Sequence, residues 1–266
     1  MSNLKQRVIT ALCLVAGFGV VLFLFSASAA ALAFAVIAAC AAWEWGGLMR
    51  QDQPARIMYA LVLLLFCWQV HIFAAELTPV LLTISVGFWL TIMPFWLWRK
   101  WTLRGNDFFG YLIGFLVILP TWAAMVFLYN VSPWVLLATM AIVWVADIGA
   151  YFTGCAIGRH KLAPTISPGK TWEGVAGALL AVGVYGMYLL VYSPVQGTLH
   201  WGLLALVLPL LTAVSVLGDL FESLLKRQVG IKDSSGLLPG HGGVLDRIDS
   251  LTSTLPLAAL LLHFFV

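Results

Sequence analysis

Apolar residues run along this chain in long blocks, separated by short stretches that hold nearly all of its charge. Crossing about 30 Å of hydrocarbon takes about 20 apolar residues, because the backbone must satisfy its own hydrogen bonds there. Nine blocks qualify, with soft ends at 8–26, 28–48, 56–75, 78–98, 108–128, 133–153, 173–192, 201–220 and 250–266. The first two abut at Ser26 to Ser28 and predict a tight hairpin. The expected fold class is all-α: a polytopic integral membrane protein with nine transmembrane helices. It divides into an N-terminal set of five spans (1–130) and a C-terminal set of four (131–266) with polar loops at 154–174 and 221–249.

Nine alternating crossings place the N-terminus and the loops after the second, fourth, sixth and eighth blocks on one side. All 14 basic residues fall there: Lys5, Arg7, Arg50, Arg56, Arg99, Lys100, Arg104, Arg159, Lys161, Lys170, Lys226, Arg227, Lys232 and Arg247. The opposite loops hold none, and Glu76 is their only ionised acid. The positive-inside rule then makes the N-terminus cytoplasmic and the His263–Val266 end external. One wrong crossing would scatter this partition, so it supports the count as well as the orientation.

Composition agrees. Hydrophobic residues make up 62% and charged residues 9%, with mean hydropathy +1.00, against roughly 25% charged in a soluble domain. Disorder, a nucleic-acid arm and a secreted disulfide scaffold are excluded. The net charge of +3 is too small to identify a partner. Trp43, Trp45, Trp96, Trp98 and Trp172 near one boundary, and Trp134 and Trp201 near the other, read as interfacial anchors. Cys13, Cys40, Cys67 and Cys155 lie singly in apolar blocks without metal-type spacing and read as packing residues. Lys5 and Arg7 before an apolar run ending Ala27-Ser28-Ala29 imitate a signal peptide. The run is too long for a usual signal core and another block follows directly, so retention is expected.

Polar residues gather on the basic side. Asp147 sits about six residues inside its block, roughly 9 Å deep, where an acid needs a partner or a polar cavity. Asp219 ends the eighth block in a similar setting. Glu44, between Trp43 and Trp45, reads instead as a snorkelling boundary residue. If the eighth block stays helical beyond Asp219, then Asp219, Glu222, Ser223 and Lys226 form one stripe. Asp246 and Asp249 share a face if the ninth helix starts there, a place where acids also favour the helix dipole.

Between them runs Lys232-Asp233-Ser234-Ser235-Gly236-Leu237-Leu238-Pro239-Gly240-His241-Gly242-Gly243, too rich in glycine for a regular helix and open to close backbone approach. With Lys226, Arg227, Lys232 and Arg247 around it, the loop offers a polyphosphate cations, amides and adjacent carboxylates for Mg²⁺. His241 serves either as general base or phosphate ligand, or merely as a turn hydrogen bond. In the other polar loop, Gly169-Lys170-Thr171 looks like the end of a Walker A motif, but Pro164 stands where that motif needs glycine, so an ordinary P-loop is rejected. Ser167 as N-cap with Pro168 at the first helical position predicts a helix start whose free amides favour an anion. Lys170 there meets either a phosphate or the interface.

Ser223, Lys226-Arg227, Lys232-Asp233, Pro239, His241-Gly242-Gly243, Asp246-Arg247 and Asp249 resemble, in order and spacing, the signature of phosphatidate cytidylyltransferases, also called CDP-diglyceride synthases. Asp147, Ala150-Tyr151, Gly154, Ser167-Pro168 and Lys170-Thr171-Trp172-Glu173-Gly174 are similar to a second segment of that family. The N-terminal half matches only as apolar blocks in the style of bacterial members. The resemblance implies a Mg²⁺-dependent reaction of CTP with phosphatidate, giving CDP-diacylglycerol and pyrophosphate at the inner face of a bacterial plasma membrane. It implies Asp219 and Asp246 as metal ligands and leaves room for a second, monovalent cation.

On this reading Lys226, Arg227 and His241 join the two aspartates in catalysis. Ser223, Lys232, Arg247, Lys170, Gly242 and Gly243 contact phosphates, and Asp147, Glu173, Glu222 and Asp249 support them. A homodimer is one option for assembly. An ion-coupled transporter using Asp147 and Asp219 is the rival, but it predicts polar residues continuing to the far face, and here the acids stop in one half. CDP-alcohol transferases need an Asp-Gly before Ala-Arg, which this chain lacks.

Overall fold

The structure, a computed structural model, describes residues 2–103, 108–192 and 201–264. Arg104 and the Phe265–Val266 end lie outside the described residues, as does the Trp201 side chain. The order is α1 (Ser2–Leu24), α2 (Ala27–Leu48), α3 (Gln53–Ile72), α4 (Ala74–Gly87), a π-helical turn (Phe88–Ile92), α5 (Met93–Arg99), α6 (Phe108–Val131), α7 (Pro133–Ile157), β1 (Lys161–Ala163), β2 (Ser167–Thr171), α8 (Trp172–Tyr192), α9 (Trp201–Val229) and α10 (Leu245–His263). The all-helical expectation holds. Among the described residues, eight helical stretches are long and apolar enough to cross a membrane, with α4, the π turn and α5 counting as one. The expected ninth span, α10, is not among them, because its first turns carry Asp246, Arg247 and Asp249.

Each departure from the expected boundaries has a local cause. The fourth block relaxes into a π turn just before Pro94, which has no N–H to give; there Met93 N donates to Phe88 O, and Thr91 Oγ1 donates to Gly87 O at 2.6 Å. α9 runs well past residue 220 because Leu220, Phe221, Leu224 and Leu225 continue a buried stripe beyond the first charges. Ser167 and Pro168 do not start a helix. They lie in β2, which pairs antiparallel with β1 through Lys161–Thr171 and Ala163–Ser167. The N-cap is Thr171, whose Oγ1 accepts from Gly174 N at 3.1 Å, while Trp172 N donates to His160 O at 2.9 Å.

α6 and α10 form the centre of the bundle. α10 can be buried despite its hydroxyls because three of them find a carbonyl: Thr252 Oγ1 donates to Asp249 O at 2.5 Å, Ser253 Oγ to Val214 O at 2.8 Å and Thr254 Oγ1 to Ser250 O at 2.8 Å. Phe221 on α9 is 2% exposed, with its ring 5.8–6.4 Å from those of Trp45, Phe88, Trp89 and Trp96. This aromatic box fixes the rotation of α9 and so the direction of its polar stripe. Two expected interfacial anchors are therefore core residues: Trp45 donates to Gly110 O and Trp96 to Trp101 O, both at 2.9 Å. Trp98, Trp134 and Trp172 remain exposed, and Trp43 stacks on the Arg56 guanidinium. Of the cysteines only Cys67 is buried, and Cys13 and Cys155 lie on the outside of the bundle. α1 is nearly all exposed, and the hairpin it makes with α2 is short but loosely packed.

One end of the bundle collects the polar segments. Thr10 on α1 donates to Pro239 O at 3.0 Å, Gln228 on α9 to Trp101 O at 2.9 Å, and Ser235 to Glu44 on α2 at 2.6 Å.

Candidate active site

Three segments build the polar end. α9 supplies Asp219, Glu222, Ser223 and Lys226 on one stripe, as its extension requires. α10 supplies Asp246 and Asp249 from its first turns. The β1–β2 hairpin supplies Lys170. α9 and α10 approach backbone to backbone at Gly218, where a methyl group would fall 2.6 Å from Ser253 Oγ and 2.7 Å from Asp249 O. The glycine thus lets the two acid-bearing helices touch beside Asp219.

Lys170 Nζ lies 2.5 Å from Asp219 Oδ2, and Ser223 Oγ donates to Asp219 Oδ1 at 3.2 Å. Lys226 Nζ lies 2.6 Å from Asp246 Oδ1 and 3.3 Å from Glu222 Oε1. Asp246 Oδ2 accepts from Ser234 N and Gly243 N at 2.8 Å and from Ser234 Oγ at 3.0 Å. Asp249 interacts electrostatically with Asp219 and Lys226, and Glu222 with Asp246 and Asp249, so these groups form one connected cluster. Asp147, exposed on α7, is within electrostatic reach of Asp219 and Lys170.

Arg227, Lys232 and Arg247 are exposed around the loop. His241 is half-buried, with Nδ1 lacking a hydrogen-bond partner among the described residues. Gly242 has φ +85°, and a Cβ there would meet Asp246 Oδ2 at 2.7 Å. Three expected phosphate contacts are already committed, the Gly243 amide to Asp246 and both Lys170 and Ser223 to Asp219, and the expected catalytic cation Lys226 is held by two buried acids. Glu173 instead fastens the hairpin, with Oε1 2.6 Å from His160 Nδ1 and both oxygens accepting from His160 N at 3.2 Å.

The cluster suits a hard divalent cation by donor chemistry, since every acid offers carboxylate oxygen. Glu222, 3% exposed, accepts from no amide or hydroxyl among the described residues and lies 3.3 Å from Lys226 Nζ, beside the acids Asp246 and Asp249. Ligation by Asp246 would need Lys226 to leave Oδ1, because the other oxygen is saturated. Among the described residues no three His, Cys, Asp or Glu already converge as ligands. Sequence reasoning missed Glu44. It is fully buried and accepts from Ser234, Ser235, Val244 and Leu245, so it is no snorkelling boundary residue. Its one signal was an acid inside an apolar helix with no cation three or four positions away.

Apolar helices long enough to cross a membrane, with carboxylates, cations and a glycine turn gathered at one end, define the class of polytopic helical proteins that carry a polar site at one end of the bundle. The pattern of the cytidylyltransferase family matches residues 5–265, and the chain belongs to that family. A phosphatidate cytidylyltransferase of Pseudomonas aeruginosa is 42% identical over 274 aligned positions, covering 97% of each chain. One of Haemophilus influenzae is 37% identical and covers 99% of each. One of Brucella suis is 46% identical over 61% of this chain and 50% of its own length.

Proposed function

We propose that this chain transfers the cytidylyl group of CTP to phosphatidate, giving CDP-diacylglycerol and pyrophosphate for phospholipid synthesis. The observation that carries the reading is the meeting of Lys170, from one family-like segment, with Asp219 and Ser223, from the other, at one end of the bundle. The near full-length relatives bearing that enzyme's name support it.

A phosphate oxygen of the lipid attacks the α-phosphorus of CTP. The new P–O bond forms as the bond to the β-phosphate breaks, and the charge leaves on pyrophosphate. Such a reaction asks the protein mainly for positioning and positive charge. The exposed Arg227, Lys232 and Arg247 meet the triphosphate and the departing pyrophosphate, and Lys170 meets a phosphate when it leaves Asp219. Lys226 sets the direction of Asp246. Asp219 and Asp246, flanked by Glu222 and Asp249, would hold Mg²⁺, which supplies Lewis-acid neutralisation of phosphoryl charge. Ser223 orients Asp219, and no covalent intermediate is needed.

The catalytic region is 131–266, with α2 reaching into it through Glu44. The enzyme sits in a bacterial inner membrane with nine crossings, the N-terminus and the active site facing the cytoplasm and the C-terminus outside. Confinement of every basic residue to the N-terminal side of the alternation supports that placement. Phosphatidate keeps its chains in the inner leaflet while CTP arrives from the cytosol. Purified protein in detergent, given labelled CTP, phosphatidate and Mg²⁺, should form labelled CDP-diacylglycerol. A folded preparation that forms none would end the proposal.

A further inference from the structure

We infer that Glu44, on α2, is a positioning residue for this transfer: it closes the α9–α10 loop and sets Asp246 through Ser234. The inference rests on the cytidylyltransferase reading above.

Glu44 is 0% exposed and accepts four hydrogen bonds. Oε1 takes Ser235 Oγ at 2.6 Å and Val244 N at 2.9 Å; Oε2 takes Ser234 Oγ at 3.0 Å and Leu245 N at 2.7 Å. Two donors precede the glycine turn and two follow it, so one carboxylate fastens both ends of the loop. Two of the donors are amides at the start of α10, where an anion also favours the helix dipole. Asp246 is the next residue. The Ser234 hydroxyl lies 3.0 Å from both Glu44 Oε2 and Asp246 Oδ2. With one proton to give, it links the two carboxylates and satisfies one of them at a time.

Gly243 makes room for this arrangement. A Cβ there would fall 2.5 Å from both Glu44 oxygens and collide with Ser234 Oγ. The glycine that ends the His241-Gly242-Gly243 run is therefore matched to an acid far away in sequence, outside the family-like segments. The N-terminal helices do more than anchor: one of them shapes the catalytic loop.

Glu44→Gln keeps the shape but turns an NH₂ toward one serine hydroxyl, which can rotate to accept, and one amide at the start of α10, which loses its acceptor, so the α10 end of the loop is loosened. Purified variant and wild type are compared for turnover, for half-saturation by Mg²⁺ and CTP, and for thermal unfolding. The expected result is a folded variant whose Mg²⁺ half-saturation rises, or whose kcat falls, by about 10- to 100-fold, as when a group orienting a metal ligand is lost. Glu44→Asp, which keeps the charge, should recover part of the loss. A merely structural role would lower the yield or the melting temperature while leaving half-saturation of the folded fraction unchanged. Wild-type kinetics in folded Glu44→Gln overturn the inference. Should that variant not fold, Ser235→Ala decides, since it removes one donor at a half-buried site: a raised Mg²⁺ half-saturation supports the inference and an unchanged one overturns it. Wild type that makes no CDP-diacylglycerol sinks the functional reading itself. Active wild type with an unaffected variant sinks only the role of Glu44.

Discussion

Replacing Lys226 by methionine keeps the length and apolar stem of the side chain but removes the ammonium that two acids share. Lys226 is 13% exposed at its side chain, and Glu222 and Asp246 are 4% each, so water cannot take over. Breaking a buried ion pair by removing one partner costs about 3–5 kcal/mol, because the remaining charge stays buried. Asp246 keeps three donors, from Ser234 N, Ser234 Oγ and Gly243 N. Glu222 has no amide or hydroxyl donor among the described residues, only its contact with the neighbouring acids. The uncompensated part falls on a single carboxylate, which points to the lower end, about 3 kcal/mol, or roughly a hundredfold in the folded-to-unfolded ratio. Reversible denaturation in mixed micelles of rising dodecyl sulfate fraction, followed by tryptophan fluorescence, measures it. Adding Glu222→Gln should restore part of the stability, with a coupling above about 1 kcal/mol between two groups in contact. A Lys226→Met protein within about 0.5 kcal/mol of wild type would refute the shared-counterion account.

Asp219→Ala and Asp246→Ala should each abolish CDP-diacylglycerol formation. The first should stay near wild-type stability, since its ion pair with Lys170 is partly solvated, and near-normal activity in either contradicts the metal assignment. Gly218→Val should force α9 and α10 apart, lowering both melting temperature and turnover. A fully active variant would show that the close approach is not required. Chelation of divalent cations should stop turnover, and added Mg²⁺ should restore it; activity persisting in excess chelator rules out the proposed ion.

The apolar blocks were legible because a span leaves a long, simple pattern: among the described residues eight are helices long and apolar enough to cross, and the ninth is helical with three charges in its first turns. The polar stripe on α9 was legible for a similar reason: helical periodicity alone places Asp219, Glu222, Ser223 and Lys226 together. The hairpin was not, since Ser167-Pro168 has the chemistry of a helix start and only tertiary pairing with Lys161–Ala163 makes it a strand. Trp45 and Trp96 were misplaced because a boundary tryptophan and a buried one look alike until the acceptor of the indole N–H is known. Glu44 was misread for the same reason. Its four donors come from a loop far along the chain, and no local pattern announces them.

The contact at Gly218 has a practical corollary. Two main chains in van der Waals touch set the separation of the backbones that carry the acids of α9 and α10, and a rotamer change at either aspartate swings its carboxylate without altering that spacing. Trading Asp for Glu would lengthen a side chain but leave that spacing as it is. The adjustable parameter is the thickness of one missing methyl group at the helix crossing itself.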